Sequence, residues 1–309
     1  MKRTKLSIVV PVYYNEKNIP VTFKRLHALA TSIKNMDIEY VFVDDGSGDN
    51  SYQELLKLRK HFRSVKVVKL SRNFGSFNAI LAGLHYATGD CIGIISADLQ
   101  DPPELFIEMV DQWRQGKKTV MAVRKNRQDP FVSKLLSNTF YWLIRKFAIP
   151  AMPAGGFDFV LIDRLVKDTL IRMNEKNTSL MGLISWLGFE SGIVYYTRTK
   201  REIGTSRWNL SKKFKYFVDT FTAFSYFPIR AISTLGFIIA VAGFIYAAFV
   251  LFNKAVFGIS VQGWTSMIIV VLVISGVQLT SLGIIGEYLW RNIDETRKRP
   301  NFIVDTVLE

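Results

Sequence analysis

The chain has one cysteine, Cys91, and three histidines, His27, His61 and His85, in 309 residues. A single thiol excludes an internal disulfide, and no Cys/His group has the spacing of a zinc site. The histidines fall on separate predicted helices, so all four residues are read as structural. Two phosphate-binding signatures are also missing, G-x-x-x-x-G-K-[ST] and G-x-G-x-x-G, which argues against an NTPase or a dehydrogenase. Internal repeats and low-complexity tracts are absent. Acidic residues are scarce, 26 against 40 Lys and Arg, for a net charge of +14. The excess is local: residues 114–146 carry nine Lys/Arg against Asp129 alone, and residues 199–230 carry seven against Glu202 and Asp219. Both clusters adjoin aromatic, amphipathic segments. That is the pattern of a surface facing anionic lipid headgroups, and no nucleic-acid module accompanies it.

Charge is missing altogether from residues 231–252 and 264–285, two runs of 22 residues. As helices each spans roughly 33 Å, enough to cross a bilayer. Arg201, Arg207, Lys212, Lys213, Lys215 and Arg230 precede the first run, and Arg291, Arg297, Lys298 and Arg299 follow the second. The positive-inside rule therefore puts both flanks in the cytoplasm. The apolar run after the basic amino terminus breaks at Pro11, too early for a signal peptide. The expected organisation is a cytoplasmic domain over residues 1–228, two transmembrane helices within 229–290, and a cytoplasmic tail over 291–309. Phe302, Ile303 and Val304 in that tail suggest pairing with a neighbouring subunit, and the two-helix membrane domain suggests a homo-oligomer.

The first part reads as α/β. Apolar strands at residues 6–10, 40–43, 65–70, 91–95 and 119–123 alternate with helical periodicity, and another strand is expected at 192–196. Strands apolar on both faces imply a mostly parallel sheet covered on both sides. Such sheets bind ligands beyond the carboxyl ends of their strands, and here those ends are polar clusters. The fourth strand delivers Ser96-Ala97-Asp98-Leu99-Gln100-Asp101-Pro102-Pro103-Glu104. Asp98, Gln100 and Asp101 are the hard oxygen ligands that Mg²⁺ or Mn²⁺ accepts when shared with phosphate oxygens. Asp101 has a second reading, as N-cap of the next helix with Pro at N1. Asp44 and Asp45 can accept bonds from a base or ribose, or form an Asx-turn at Asp-Gly-Ser. Arg72, just before a helix amino terminus, is placed to meet a phosphate. Asp158, within the apolar run from Gly155 to Leu161, is expected to be partly buried and so to need a partner or a job. Asp163 reads as a helix cap. Residues 131–149 and 210–227 form basic amphipathic helices suited to a bilayer interface; packing on the sheet is the alternative for the first. The apolar segment at 177–189 is too short to span.

Together Val10-Pro11-Val12-Tyr13-Tyr14-Asn15-Glu16, Val43-Asp44-Asp45-Gly46-Ser47, Ser71-Arg72-Asn73-Phe74-Gly75 and Ala97-Asp98-Leu99-Gln100-Asp101-Pro102-Pro103 resemble a family 2 glycosyltransferase of GT-A (Rossmann-like) fold. The narrower likeness is to the polyprenyl-phosphate branch, which includes bactoprenol glucosyltransferases and dolichol-phosphate mannose synthases, and Gly283-Ile284-Ile285-Gly286-Glu287-Tyr288 in the second span resembles the bactoprenol enzymes. The resemblance implies that Pro11, Tyr13, Glu16, Asp44 and Asp45 hold the nucleoside. It implies that Asp98 and Gln100 hold Mg²⁺ or Mn²⁺ on the diphosphate, and that Arg124, Lys134, Arg201 and Ser206 face the acceptor phosphate. The implied reaction is inverting transfer of a sugar, glucose from UDP-glucose as the first choice, to undecaprenyl phosphate at the cytoplasmic face of the inner membrane. UDP-N-acetylhexosamine, UDP-aminoarabinose and GDP-mannose are alternative donors. Arg124 and Asp158 would join Asp98 in catalysis. Ser96 replaces the first aspartate of the relatives' aspartate-alanine-aspartate, and Ser76-Phe77 replaces their Lys-Glu. A processive synthase would carry Gln-x-x-Arg-Trp, whereas here Gly204 precedes Arg207-Trp208. A non-catalytic nucleotide-sugar-binding membrane protein is the rival from another class; a transporter is disfavoured by two spans without internal charge.

Overall fold

The computed structural model describes residues 3–98, 100–125, 131–198, 210–257 and 263–309. It divides into two compact units, Met1–Phe221 with Pro300–Glu309, and Thr222–Arg299. In the first unit, β1 (Thr4–Val12), β2 (Met36–Asp44), β3 (Val65–Leu70) and β4 (Cys91–Ile94) are each followed by a helix: α1 (Ile19–Ser32), α2 (Ser51–His61), α3 (Ser76–Tyr86) and α4 (Leu105–Arg114). Then come β5 (Thr119–Arg124), α5 (Phe131–Phe147), β6 (Phe157–Asp163), α6 (Arg164–Met173), α7 (Leu180–Trp186), β7 (Ser191–Tyr196) and α8 (Leu210–Phe224). The chain continues through α9 (Phe227–Phe257) and α10 (Trp264–Thr296) to β8 (Val304–Leu308).

The eight strands form one sheet in the order β7-β5-β6-β4-β1-β2-β3-β8. β1 pairs in parallel with β2 and β4, β2 with β3, and β5 with β7. The strands are apolar because both faces are covered: Leu6, Ile8, Val10 and Phe42 on one side and Val9, Val41 and Val43 on the other are fully buried. One glycine sets a close approach. A Cβ on Gly93 of β4 would fall on the ring of Phe106, so only a residue without a side chain lets α4 lie against the strand that feeds the Asp98 loop. The Phe106 ring then meets Phe159 of β6 edge-on, centroids 4.7 Å apart.

Two strands were not foreseen. β6 lies antiparallel between β4 and β5; its run, Phe157–Asp163, had been read only as the surroundings of Asp158. β8 corrects the reading of the tail. It pairs antiparallel with β3 of the same chain, Lys69 bridges Asp305 at 3.0 Å, and the Asn301 amide donates to Asn174 Oδ1 at 3.0 Å. Val304 therefore finds its partner within the chain, since β3 would otherwise be an unprotected edge.

At the amino-terminal ends of β1, β2 and β4 the sheet holds a buried anion. Glu39, 3% exposed, accepts from Ser7 Oγ at 2.5 Å and from the Thr88 N–H at 2.7 Å. Lys5 Nζ lies 2.7 Å and Lys66 Nζ 3.5 Å from its other oxygen. Burial alone would raise its pKa, but the bonds from Lys5, Ser7 and Thr88 outweigh that and bring it down to about 2.

α5 is not a free amphipathic helix. Ile144 is fully buried, and the Phe140 ring packs against Tyr216 and Phe217 of α8, with centroids 6.0 and 5.7 Å away. The short apolar segment folds as α7, which buries Leu180, Leu183 and Ile184. In the second unit α9 and α10 are long and apolar enough to cross a membrane, and each extends beyond its uncharged run. Tyr288 Oη donates to the Ser225 carbonyl at 3.1 Å.

Candidate active site

The carboxyl ends of β1 to β5 share one rim, and their loops are laced together mostly by backbone donors and side-chain acceptors. After β1, the Tyr14 N–H donates to Ser47 Oγ at 3.1 Å and the Asn15 N–H to Ser51 Oγ at 2.8 Å. Tyr14 has φ +56°, a left-handed turn residue that brings its ring edge-on to Tyr13 at 4.7 Å. Glu16 returns the tie by accepting from the Asn50 N–H at 3.1 Å. Pro11, Tyr13 and Glu16 are half-buried along this seam.

Asp44 and Asp45 divide the work at the end of β2. Asp44 is fully buried, and its Oδ1 accepts from the Ser47 N–H at 3.3 Å. The turn expected at Asp-Gly-Ser thus belongs to Asp44. Among the described residues, Asp44 Oδ2 is buried with no hydrogen-bond partner, and burial raises its pKa. Asp45 reaches across to the loop after β3 and accepts from the N–H groups of Phe74 at 2.7 Å and Gly75 at 3.0 Å. Burial pushes its pKa up to about 6 against the pull of these two bonds. Gly46, at φ +66°, makes the junction possible: a Cβ there would sit 2.5 Å from the Arg72 carbonyl carbon. Arg72 is exposed on this rim, its guanidinium 4.7 Å from the Phe74 ring centre.

In the loop after β4, Asp98 is half-buried. Its Oδ1 accepts from Ser96 Oγ at 2.7 Å and from the Gln100 N–H at 3.3 Å. The Ser96 hydroxyl thus orients the Asp98 carboxylate. No group of three His, Cys, Asp or Glu converges among the described residues, so a metal here would rest on the Asp98 carboxylate and the Gln100 amide with further oxygens from a ligand. That hard, sparse set fits Mg²⁺ or Mn²⁺ shared with a diphosphate.

Asp101 is not the cap of α4. The cap position is Glu104, because the two prolines carry the chain through tight turns, with the Leu105 N–H on the Pro102 carbonyl at 3.2 Å. Asp101 instead turns inward, 1% exposed. It accepts from Tyr196 Oη at 2.5 Å, and Arg198 Nε lies 3.3 Å away. Asp158 is corrected in the opposite sense: its side chain is 61% exposed, because alternation in β6 turns Phe157 and Phe159 inward and Asp158 out. Its partner is the Arg124 guanidinium. Arg124 Nε also donates to Tyr196 Oη at 3.3 Å. Burial works against the charge on Arg124, but Asp158 and Tyr196 outweigh it and raise its pKa. Asp163 caps α6 as expected, accepting from the Leu165 N–H at 2.9 Å. Arg201 and Ser206 lie outside the described residues, and Lys134 lies on α5 with its side chain outside them. Tyr196 and Arg198 were missed from the sequence; the available signal was an aromatic at the inward end of an alternating strand, followed two residues later by an arginine.

Residues 7–161 match the model of glycosyl transferase family 2. The chain is 40% identical over 304 residues to the Bacillus subtilis protein described as uncharacterized glycosyltransferase YkcC, covering 98% of this chain and 94% of that one. It is 34% identical over 304 residues to the prophage bactoprenol glucosyl transferase homolog of Escherichia coli, covering 98% of this chain and 99% of the relative. Among solved structures it resembles mannosyl-3-phosphoglycerate synthase from Rubrobacter xylanophilus, with TM-score 0.48, 15% identity, and coverage of 75% of this chain and 73% of that one.

Proposed function

Since the chain belongs to glycosyl transferase family 2, we propose that it moves a sugar from a nucleotide carrier to a polyprenyl phosphate at the cytoplasmic face of a membrane. The single observation that carries this reading is the Asp98 loop. A carboxylate oriented by Ser96 and by the Gln100 N–H stands on the rim that also bears Arg72, Asp44 and Arg124, and it is joined to two helices long enough to cross a bilayer. Full-length similarity to a protein named bactoprenol glucosyl transferase homolog supports the lipid acceptor and a glucosyl donor, for which UDP-glucose is our choice.

Nucleoside recognition falls to the seam of Pro11, Tyr13, Glu16, Asp44 and Asp45. A buried carboxylate oxygen without a donor, such as Asp44 Oδ2, is the kind of atom that a ligand N–H or O–H completes. Asp98 and Gln100 would hold Mg²⁺ or Mn²⁺, which when bound withdraws charge from the departing diphosphate. Arg72 adds a second cation beside that leaving group. A lipid phosphate monoester has a second pKa of about 6 and is already largely ionised at pH 7, so Asp158 need not act as a strong base. It orients Arg124, which with Lys134, Arg201 and Ser206 meets the acceptor phosphate. Attack by that phosphate oxygen at the anomeric carbon, in line with the departing diphosphate oxygen, inverts the centre.

The test uses protein solubilised in detergent, supplied with undecaprenyl phosphate, Mn²⁺ or Mg²⁺ and a panel of nucleotide sugars. The expected product is a glycolipid one sugar heavier than the acceptor, with release of nucleoside diphosphate that requires the metal. A panel that yields neither product would leave the non-catalytic reading in its place.

A further inference from the structure

The buried carboxylate of Asp101 has no assigned role, and its surroundings are unusual for one that only supports the fold. It is 1% exposed. An ionisable group withdrawn from water in this way costs stability unless its bonds do something a neutral, apolar side chain could not. Those bonds lead to one place. Tyr196 Oη donates to Asp101 at 2.5 Å and accepts from Arg124 Nε at 3.3 Å. Arg124 and Tyr196 are also register partners across β5 and β7, so the arginine stem and the phenol stand side by side at the ends of neighbouring strands. The other end of the guanidinium is held by Asp158.

We propose that Asp101 and Tyr196 are positioning residues that fix the plane of the Arg124 guanidinium, and thereby set where the acceptor phosphate sits relative to the donor diphosphate. This rests on the reading above that Arg124 meets that phosphate. A guanidinium has five N–H donors in a rigid plane. Tyr196 and Asp158 engage it at two points, which fixes its tilt and turns its remaining edge into an oriented fork for phosphate oxygens. Asp101 is one residue beyond Gln100, in the loop that carries Asp98. The chain Asp98 loop to Asp101 to Tyr196 to Arg124 therefore couples the donor side of the rim to the acceptor side through a single phenol. Arg198 balances the Asp101 charge at 3.3 Å and leaves Tyr196 to make the link.

The decisive variant is Tyr196→Phe, which keeps the ring and its packing and removes only the hydroxyl. In detergent-solubilised full-length protein we expect the unfolding midpoint and the UDP affinity measured with Mn²⁺ to stay at wild-type values. The Kd for undecaprenyl phosphate, and its KM with the donor that turns over, should rise about ten-fold, with kcat changed less. Arg124→Ala supplies the reference. The double variant Tyr196→Phe/Arg124→Ala should bind undecaprenyl phosphate no more weakly than Arg124→Ala alone, because the phenol acts only through the arginine. Asp101→Asn should give the same split in a chain that remains folded by circular dichroism. If Arg124→Ala leaves acceptor binding unchanged, the acceptor role of Arg124 fails and this proposal with it. If Arg124→Ala weakens binding but Tyr196→Phe does not, or if the two losses add in the double variant, the acceptor role stands and the positioning relay is refuted.

Discussion

Replacing Glu39 by Gln tests whether the far end of the sheet is held by charge or merely filled. The substitution keeps size and shape while removing the anion that Lys5 meets at 2.7 Å and one of the acceptor oxygens shared by Ser7 and Thr88. The carboxyl titrates at about 2 in the fold, against an ordinary value of 4.5. That separation corresponds to roughly 3 kcal/mol of stability carried by the ionised form. The sign follows from the depressed pKa: this stability is fully present above pH 4.5 and is lost as the pH falls toward 2. The variant should therefore unfold about 3 kcal/mol more easily at pH 7, and the gap between it and the wild type should close across that acid window. Guanidinium unfolding of both proteins in the same detergent, followed by tryptophan fluorescence at several pH values, measures the difference directly. A variant as stable as the wild type at pH 7, or a gap that widens as the solution is acidified, would refute the assignment of an ionised, productively paired Glu39.

Four further outcomes are expected. Asp98→Asn should lower turnover by about a hundred-fold or more with an unchanged unfolding midpoint, measured as release of nucleoside diphosphate. Chelation of divalent ions by EDTA should stop that release in the wild type, and added Mn²⁺ or Mg²⁺ should restore it. Gly46→Ala places a methyl group 2.5 Å from the Arg72 carbonyl carbon at φ +66°; it should cost about 1–3 kcal/mol and weaken UDP binding in calorimetry. Gly93→Ala, which drives a methyl group into the Phe106 ring, should destabilise by about 1–3 kcal/mol, and adding Phe106→Leu should recover part of that loss in a double-mutant cycle.

The elements legible in the sequence were those whose pattern is local. The first five strands are apolar runs that end in polar clusters, so both their existence and the rim they share can be read without a structure. β6 was hidden because Gly155 and Gly156 precede it and an exposed Asp158 interrupts its apolar run; only its antiparallel neighbours β4 and β5 fix it as a strand. β8 is hidden because Asp305 and Thr306 interrupt its apolar run, and it forms because β3 offers an edge 234 residues earlier in the chain, counted from Leu70 to Val304. Asp98 and Gln100 were singled out by chemistry, since capping does not explain them. Asp101 stayed between two readings, metal oxygen and helix cap, because Asp-Pro-Pro-Glu satisfies a helix-start rule that the real start, three residues later, did not need. Its partners, Tyr196 at the end of β7 and Arg198 just beyond it, lie almost a hundred positions away, a distance that local pattern does not bridge.

The place of β8 constrains the path of everything before it. A polypeptide that begins in a sheet, departs, and ends as another strand of that same sheet can traverse any barrier in between only an even number of times. If α9 crosses a membrane, α10 must cross it back, and a mutation that added or deleted one such crossing would tear the last strand from its place and leave the backbone groups of β3 open to the next molecule it meets.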